Sequence, residues 1–382
     1  MADHQSILDA AVENQDVPFV VAATASAEEV TWMGASGERA PGQAAGMDTV
    51  YRIFSMTKAI GSTAAMILID RGKLSMDTPV GAIIPSFETL QVLDGFDGDT
   101  PRYRAPATPA TVRHLATHTS GLAYEFWNTE MPRWFEATGH PSILTGQKAG
   151  LMTPLMFDPG TAWDYGTGID WLGQVVEAVD GRRIDQFCRE EIFEPLGMAD
   201  TACEIEDHMA DRLAGVKARG EDGTFGDFDL SPPPSPEVYG MGHALYSTPH
   251  DYLRFLRMFL GRGALDGNRV LSEDAVDQML ANQIGDLSIP KMVTVAPPVT
   301  ADFDPFPDTR TTHSFGFMRV EADVPGMRSA GSQAWAGVLN THYWFDPAKN
   351  IAAVLMTQSL PFVEPPYMTL YADFERAVYA DL

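Results

Sequence analysis

Apolar residues at helical spacing occupy positions 5–14, and two strand-like runs follow at 19–25 and 29–34. A short apolar stretch at 51–54 reads as a further strand. It leads into a helix of small and apolar residues, 59–70, interrupted by one glycine. Proline, glycine and aspartate then crowd the chain from about 77 to 109. Helical patterning dominates 111–209, where Thr111 is placed to cap Val112 to Ala116 and a helix over 169–179 stops at Gly181. Segment 230–239 (LSPPPSPEVY) reads as a rigid surface linker. Helices return at 249–260 and 272–283, a proline-rich loop spans 293–312, and strands at 341–345 and 351–357 are joined by a turn. A last helix covers 367–379.

Strands near both termini with helices between them predict an α/β domain built from residues 1–85 and 240–382. It carries a mainly helical insertion domain, 86–239. The terminal strands read as hairpins, so the predicted class is α/β plus all-α, with an antiparallel sheet flanked by helices.

Composition changes this picture little. The chain has 382 residues, 45% hydrophobic and 20% charged, enough for a large core. Charge is more telling: 26 basic residues against 52 acidic ones give a net charge of −26. Such a surface repels polyanions, which excludes nucleic acid and anionic membranes as partners. It also resembles proteins from saline habitats, where salt screens the repulsion. The first fifteen residues lack the basic and apolar regions of a signal peptide, and no apolar run is long enough to span a membrane. A soluble cytoplasmic protein is the expectation; nothing in the sequence fixes an oligomeric state. Cys188 and Cys203 are expected as free thiols.

Chemistry concentrates at Ser55-Met56-Thr57-Lys58, where a hydroxyl and an amine three residues apart share one face of a helical turn. A serine hydroxyl attacks only if a base takes its proton, and a lysine whose pKa is lowered by burial can do so. Serine is also a favoured helix cap, so the rest of the chain decides. Downstream, Tyr165 lies between Pro159-Gly160 and a helix, and Trp335-Ala336-Gly337-Val338 leads into a strand. No G-x-S-x-G occurs. His114 and His118 stand four apart without a glutamate after the first, and are expected to be structural. There is no P-loop, no dinucleotide fingerprint and no grouped set of metal ligands, so no metal and no cofactor are implied.

These three places resemble the motifs of serine β-lactamases and penicillin-binding proteins: S-x-x-K, then Y-x-N or S-x-N, then K-T-G. The chain is most similar to class C β-lactamase-like serine hydrolases, particularly family VIII carboxylesterases, whose third motif is typically W-x-G. Leu115-Ala116-Thr117-His118-Thr119-Ser120-Gly121-Leu122, Ile192-Phe193-Glu194-Pro195-Leu196-Gly197-Met198 and Trp344-Phe345-Asp346-Pro347 extend the likeness over most of the chain. The resemblance implies a β-lactamase/penicillin-binding-protein-like fold. It makes Ser55 the nucleophile, Lys58 its base, and Tyr165 a second base or proton shuttle. Backbone N–H groups of Ser55 and Val338 would form the oxyanion hole, with Trp335, Gly337 and Thr167 at the substrate; Phe126, Trp127 and Trp134 of the helical layer are expected to line the pocket as well.

The chain departs from the family at two points. Thr167 stands where an asparagine is usual. Trp335 stands where a lysine would recognise a carboxylate, and it offers an apolar wall and one N–H. The expected substrate is therefore a neutral carboxylic ester with a short acyl chain, a small molecule cleaved through an acyl-enzyme. The other readings are a β-lactamase, a D-amino-acid amidase or peptidase, an acyltransferase of the same fold, or a binding protein that kept the fold without its chemistry.

Overall fold

The computed structural model describes residues 4–233 and 235–382; Met1, Ala2, Asp3 and Pro234 lie outside it. Its centre is an antiparallel sheet whose strands come from the two ends of the chain. They are β1 (Phe19–Ala25), β2 (Val30–Ala40), β3 (Gln43–Ala44), β4 (Thr311–His313), β5 (Met318–Val320), β6 (Gln333–Gly337), β7 (Thr341–Asp346) and β8 (Ile351–Met356), in the spatial order β4-β5-β6-β7-β8-β1-β2-β3. The N-terminal strands thus close the sheet by pairing β1 with β8, Val21 opposite Met356.

Every residue of β7 and β8 is buried, because both faces of the sheet are covered. Alternation along β7 divides the side chains. His342 and Trp344 pack on Tyr371 and Phe374 of the C-terminal helix Pro365–Ala380. Tyr343 and Phe345 point the other way, onto Tyr252 and Phe259 of helix Pro249–Leu260.

The predicted caps form. Thr111 and His114 make a reciprocal capping box, which gives His114 a structural task, and Gly181 ends helix Gly168–Asp180 with φ 91°. Helix Thr57–Asp70 is buried along nearly its whole length, since its small residues let it lie against helix Gly168–Asp180. One continuous apolar core joins residues of the sheet, such as Val354, to residues of the predicted insertion, such as Trp171 and Phe187.

Two regions differ from expectation. The Pro/Gly/Asp-rich stretch contains a hairpin, Val92–Asp97 with Thr100–Arg104, turning at Gly98. Segment 230–239 is no free linker: the Gly146 carbonyl accepts from the N–H groups of Glu237 and Val238, and Tyr239 donates to Glu204. Both cysteines are free thiols. No described helix is long and apolar enough to cross a membrane.

Candidate active site

Ser55 lies in a single 3-10 turn, Phe54–Met56, just before helix Thr57–Asp70. It does not cap that helix: Met56 holds the N-cap position, with no side-chain cap bond. The turn is anchored from outside. Ile53 N–H donates to the Leu245 carbonyl, Leu245 N–H to the Thr57 hydroxyl, and the Tyr252 hydroxyl to the Met56 carbonyl. Phe54 is held at φ 42°, a conformation unusual for a bulky residue, which is the kind of local strain found at functional sites.

Lys58 is 1% exposed. Its amine lies 3.1 Å from the Ser55 hydroxyl, 3.1 Å from the Tyr124 hydroxyl and 2.8 Å from the Gly242 carbonyl. Burial lowers its pKa to about 7, against the opposing charge of Asp170. At neutral pH a large fraction of the amine is therefore uncharged and able to accept a proton.

Tyr165 is buried beside Ser55, and its hydroxyl hydrogen-bonds with both Ser55 and Trp335 Nε1, the latter at 3.1 Å. Burial raises its pKa despite these two bonds, and the Asp170 charge adds to the rise. The phenol stays protonated, so it is suited to give a proton rather than to take the first one. Trp335 likewise spends its one N–H on Tyr165, leaving its ring as the surface it presents. The loops carrying Tyr124 and Tyr165 are tied together by the Tyr124 N–H bond to the Tyr165 carbonyl, and His118 packs 4.8 Å from the Tyr165 ring.

A cavity of about 300 Å³ opens over Ser55. Its wall includes Tyr124, Phe126, Trp127, Tyr165, Met292, Phe303, Trp335 and Val338, so it is chiefly apolar and aromatic. Of the residues expected at the substrate, Phe126, Trp127 and Trp335 line it. Thr167 and Gly337 do not, and Trp134 sits in a separate cluster with Leu93 and Met131. Thr167 is at the buried N-cap position of helix Gly168–Asp180. Gly337 serves packing: a Cβ there would come within 2.2 Å of the Ile53 carbonyl, so glycine lets the edge of β6 run against the Ser55 turn. Val338, next in the chain, reaches the cavity. Two residues on comes the turn residue Asn340, whose side chain ties the turn to Ser359, Pro361 and Val363.

The sequence reading missed four contributors. Asp170 is fully buried; its carboxylate accepts from the Gly242 N–H at 3.0 Å, and lies 3.3 Å from His243 Nδ1 and 3.4 Å from the Tyr124 hydroxyl. Burial raises its pKa, but His243, Lys58 and the Gly242 N–H together bring it below the ordinary range, so it is ionised. A Cβ on Gly242 would stand 2.4 Å from this carboxylate and 2.8 Å from the Tyr124 hydroxyl, which explains glycine at that position. A lone acid in the otherwise apolar helix start Gly168-Ile169-Asp170-Trp171-Leu172 was the visible signal for it. Among the described residues no cluster of acidic, histidine and cysteine side chains has the makings of a metal site.

A hydroxyl flanked by a near-neutral amine and a proton-donating phenol under an apolar cavity has the parts of an acyl-transferring serine site. The comparisons with known proteins agree. Lovastatin esterase of Penicillium rubens is 29% identical over 362 residues, covering 91% of this chain and 87% of its own. Monacolin J acid methylbutanoyltransferase of Aspergillus terreus is 29% identical over 350 residues, 87% and 83% of the two chains. The unliganded structure of simvastatin synthase from Aspergillus terreus superposes with a TM-score of 0.86 at 26% identity, covering 100% of this chain and 99% of that one. EstCE1, described as a hydrolase with promiscuous acyltransferase activity, has the same fold, with a TM-score of 0.77 at 21% identity. The beta-lactamase family model matches residues 4–377. From the first helix to the last, with the Ser55 turn and the Trp335 strand in between, the chain belongs to the beta-lactamase family.

Proposed function

We propose that the protein is a serine carboxylesterase that cleaves neutral esters through an acyl-enzyme on Ser55. The observation that carries this is the buried Lys58 amine, 3.1 Å from the Ser55 hydroxyl and with a pKa near 7, beneath a cavity walled by Trp335 rather than by a lysine or arginine. Lys58 takes the hydroxyl proton as Ser55 Oγ bonds to the carbonyl carbon. The oxyanion is received by the backbone N–H groups of Ser55 and Val338, with the positive end of helix Thr57–Asp70 behind Ser55. Tyr165 protonates the departing alkoxide, and the Lys58 ammonium, hydrogen-bonded to the Ser55 oxygen that Tyr165 also touches, supplies the proton that restores the phenol. Water then repeats the sequence to release the acid. Asp170 and Tyr124 hold Lys58 and Gly242 in register. The two relatives also support an acyl-handling enzyme, and one of them bears the name esterase.

A second reading, acyl transfer to an alcohol, is favoured by the other relative's name and by the apolar cavity, which gives an alcohol an advantage over water. Adding a primary alcohol to the assay separates the two readings. An esterase gives chiefly free acid, whereas a transferase gives chiefly the new ester.

Trp335 should set the substrate class. In the wild type, p-nitrophenyl butyrate is expected to be turned over far faster than nitrocefin. Trp335→Lys should move the ratio toward nitrocefin by about tenfold, since it restores a cation opposite the lactam carboxylate while Thr167 still replaces the usual asparagine. A wild-type preference for nitrocefin would make the protein a lactamase.

A further inference from the structure

A second and larger cavity, about 450 Å³, adjoins the first. Phe54, Leu144 and His243 line both, so they stand at the boundary between them. The far wall is the proline-rich segment, through Leu230, Pro232, Pro233, Pro236 and Val238. Pro232, Pro233 and Pro236 are conformationally restricted, and the N–H groups of Glu237 and Val238 anchor the end of the segment on the Gly146 carbonyl. Two of the charged side chains around the cavity have partners within the protein, though the buried Arg52 Nε has none among the described residues. Glu204 accepts from Tyr239, and Arg52 donates to the Ala214 carbonyl and lies over the Tyr246 ring. At that boundary, His243 turns Nδ1 toward Asp170, which fixes the ring there.

Tyr165 decides which half of the ester goes where. It lines only the smaller cavity, together with its partner Trp335. A group that protonates the leaving alkoxide must touch that oxygen, so the alcohol occupies the Tyr165–Trp335 end. The carbonyl carbon sits on Ser55, and the substituent on its other side points away from Tyr165. We propose that the acyl chain passes between Phe54, Leu144 and His243 into the larger cavity, and that the enzyme therefore accepts esters of medium-length fatty acids. This rests on the acyl-enzyme reading above. The short-chain expectation from the sequence describes a chain confined to the Ser55 cavity alone.

The test is a p-nitrophenyl ester series from acetate to dodecanoate, on the wild type and on Val238→Trp, which fills the larger cavity without touching the catalytic groups. Leu230→Trp, half-buried in the same wall, serves if Val238→Trp does not fold. Wild-type kcat/KM should rise from acetate to about decanoate. The filled variant should keep its acetate rate and lose decanoate turnover by roughly tenfold or more, the scale expected when several methylenes lose their pocket. A wild type that rejects chains beyond butyrate, or a decanoate-to-acetate ratio unmoved by filling, overturns the proposal and leaves the esterase reading standing. Binding needs no turnover, so calorimetry of decanoate with Ser55→Ala separates the two claims. If no ester is cleaved but decanoate binds Ser55→Ala and not Ser55→Ala/Val238→Trp, the cavity assignment stands and the esterase reading falls.

Discussion

Replacing Ser55 by alanine should lower ester turnover by at least about 10⁴-fold while the protein stays folded, as expected when the nucleophile of a covalent mechanism is removed. The fold should hardly notice. Ser55 caps no helix, and its side chain bonds only to the catalytic amine and phenol, so the loss is on the order of one hydrogen bond, about 1 kcal/mol. The turn itself is held by Ile53, Leu245, Thr57, Met56 and Tyr252, none of which the substitution touches. Near-wild-type turnover by folded Ser55→Ala would mean that another group attacks the ester.

Lys58→Met should cost about 10²–10⁴ in rate, the range for a lost general base, and yet make the protein more stable. An unfolded chain keeps this lysine protonated up to pH 10 or so, whereas burial lowers the folded value to about 7. Between those limits the unfolded state binds more protons, so wild-type stability rises with pH from 7 toward 10. At pH 7 the burial costs a few kcal/mol at most, on the order of one per pKa unit, offset in part by the bonds to Gly242 and Tyr124. The melting temperature of Lys58→Met should exceed that of the wild type at pH 7, and the gap should shrink as pH rises. The same lowered pKa shapes catalysis. Wild-type kcat/KM should fall about tenfold per pH unit below about 7, as the amine becomes protonated, and level off above it. A rate that stays flat from pH 5 to 8 would remove Lys58 from the role of base.

What the sequence made legible follows from how local each signal is. Ser55 and Lys58 lie within one turn, and the strands and caps at Thr111 and Gly181 are set by residues a few positions apart, so their pattern is complete in a short window. Tyr124, Asp170, Gly242 and His243 come from three separate stretches of the chain and meet only because helices Thr57–Asp70 and Gly168–Asp180 pack together. No window of the sequence contains that meeting. Segment 230–239 looked like a linker because proline stiffness reads the same whether the segment is solvated or packed. What makes it a wall is Gly146, some ninety residues earlier in the chain. Thr167 and Gly337 sit in the right motifs but face the packing beneath them. Position in a motif therefore located the neighbourhood of the site without saying which side chains reach the cavity.

The central claim is a covalent acyl group on Ser55, and rapid-quench mass spectrometry tests it most directly. After brief mixing with p-nitrophenyl butyrate and an acid quench, one butyryl group should appear on the peptide carrying Ser55, at a level that rises with the initial burst of p-nitrophenol. It should be missing from Ser55→Ala. Turnover without an adduct, or an adduct on a different side chain, would contradict the account.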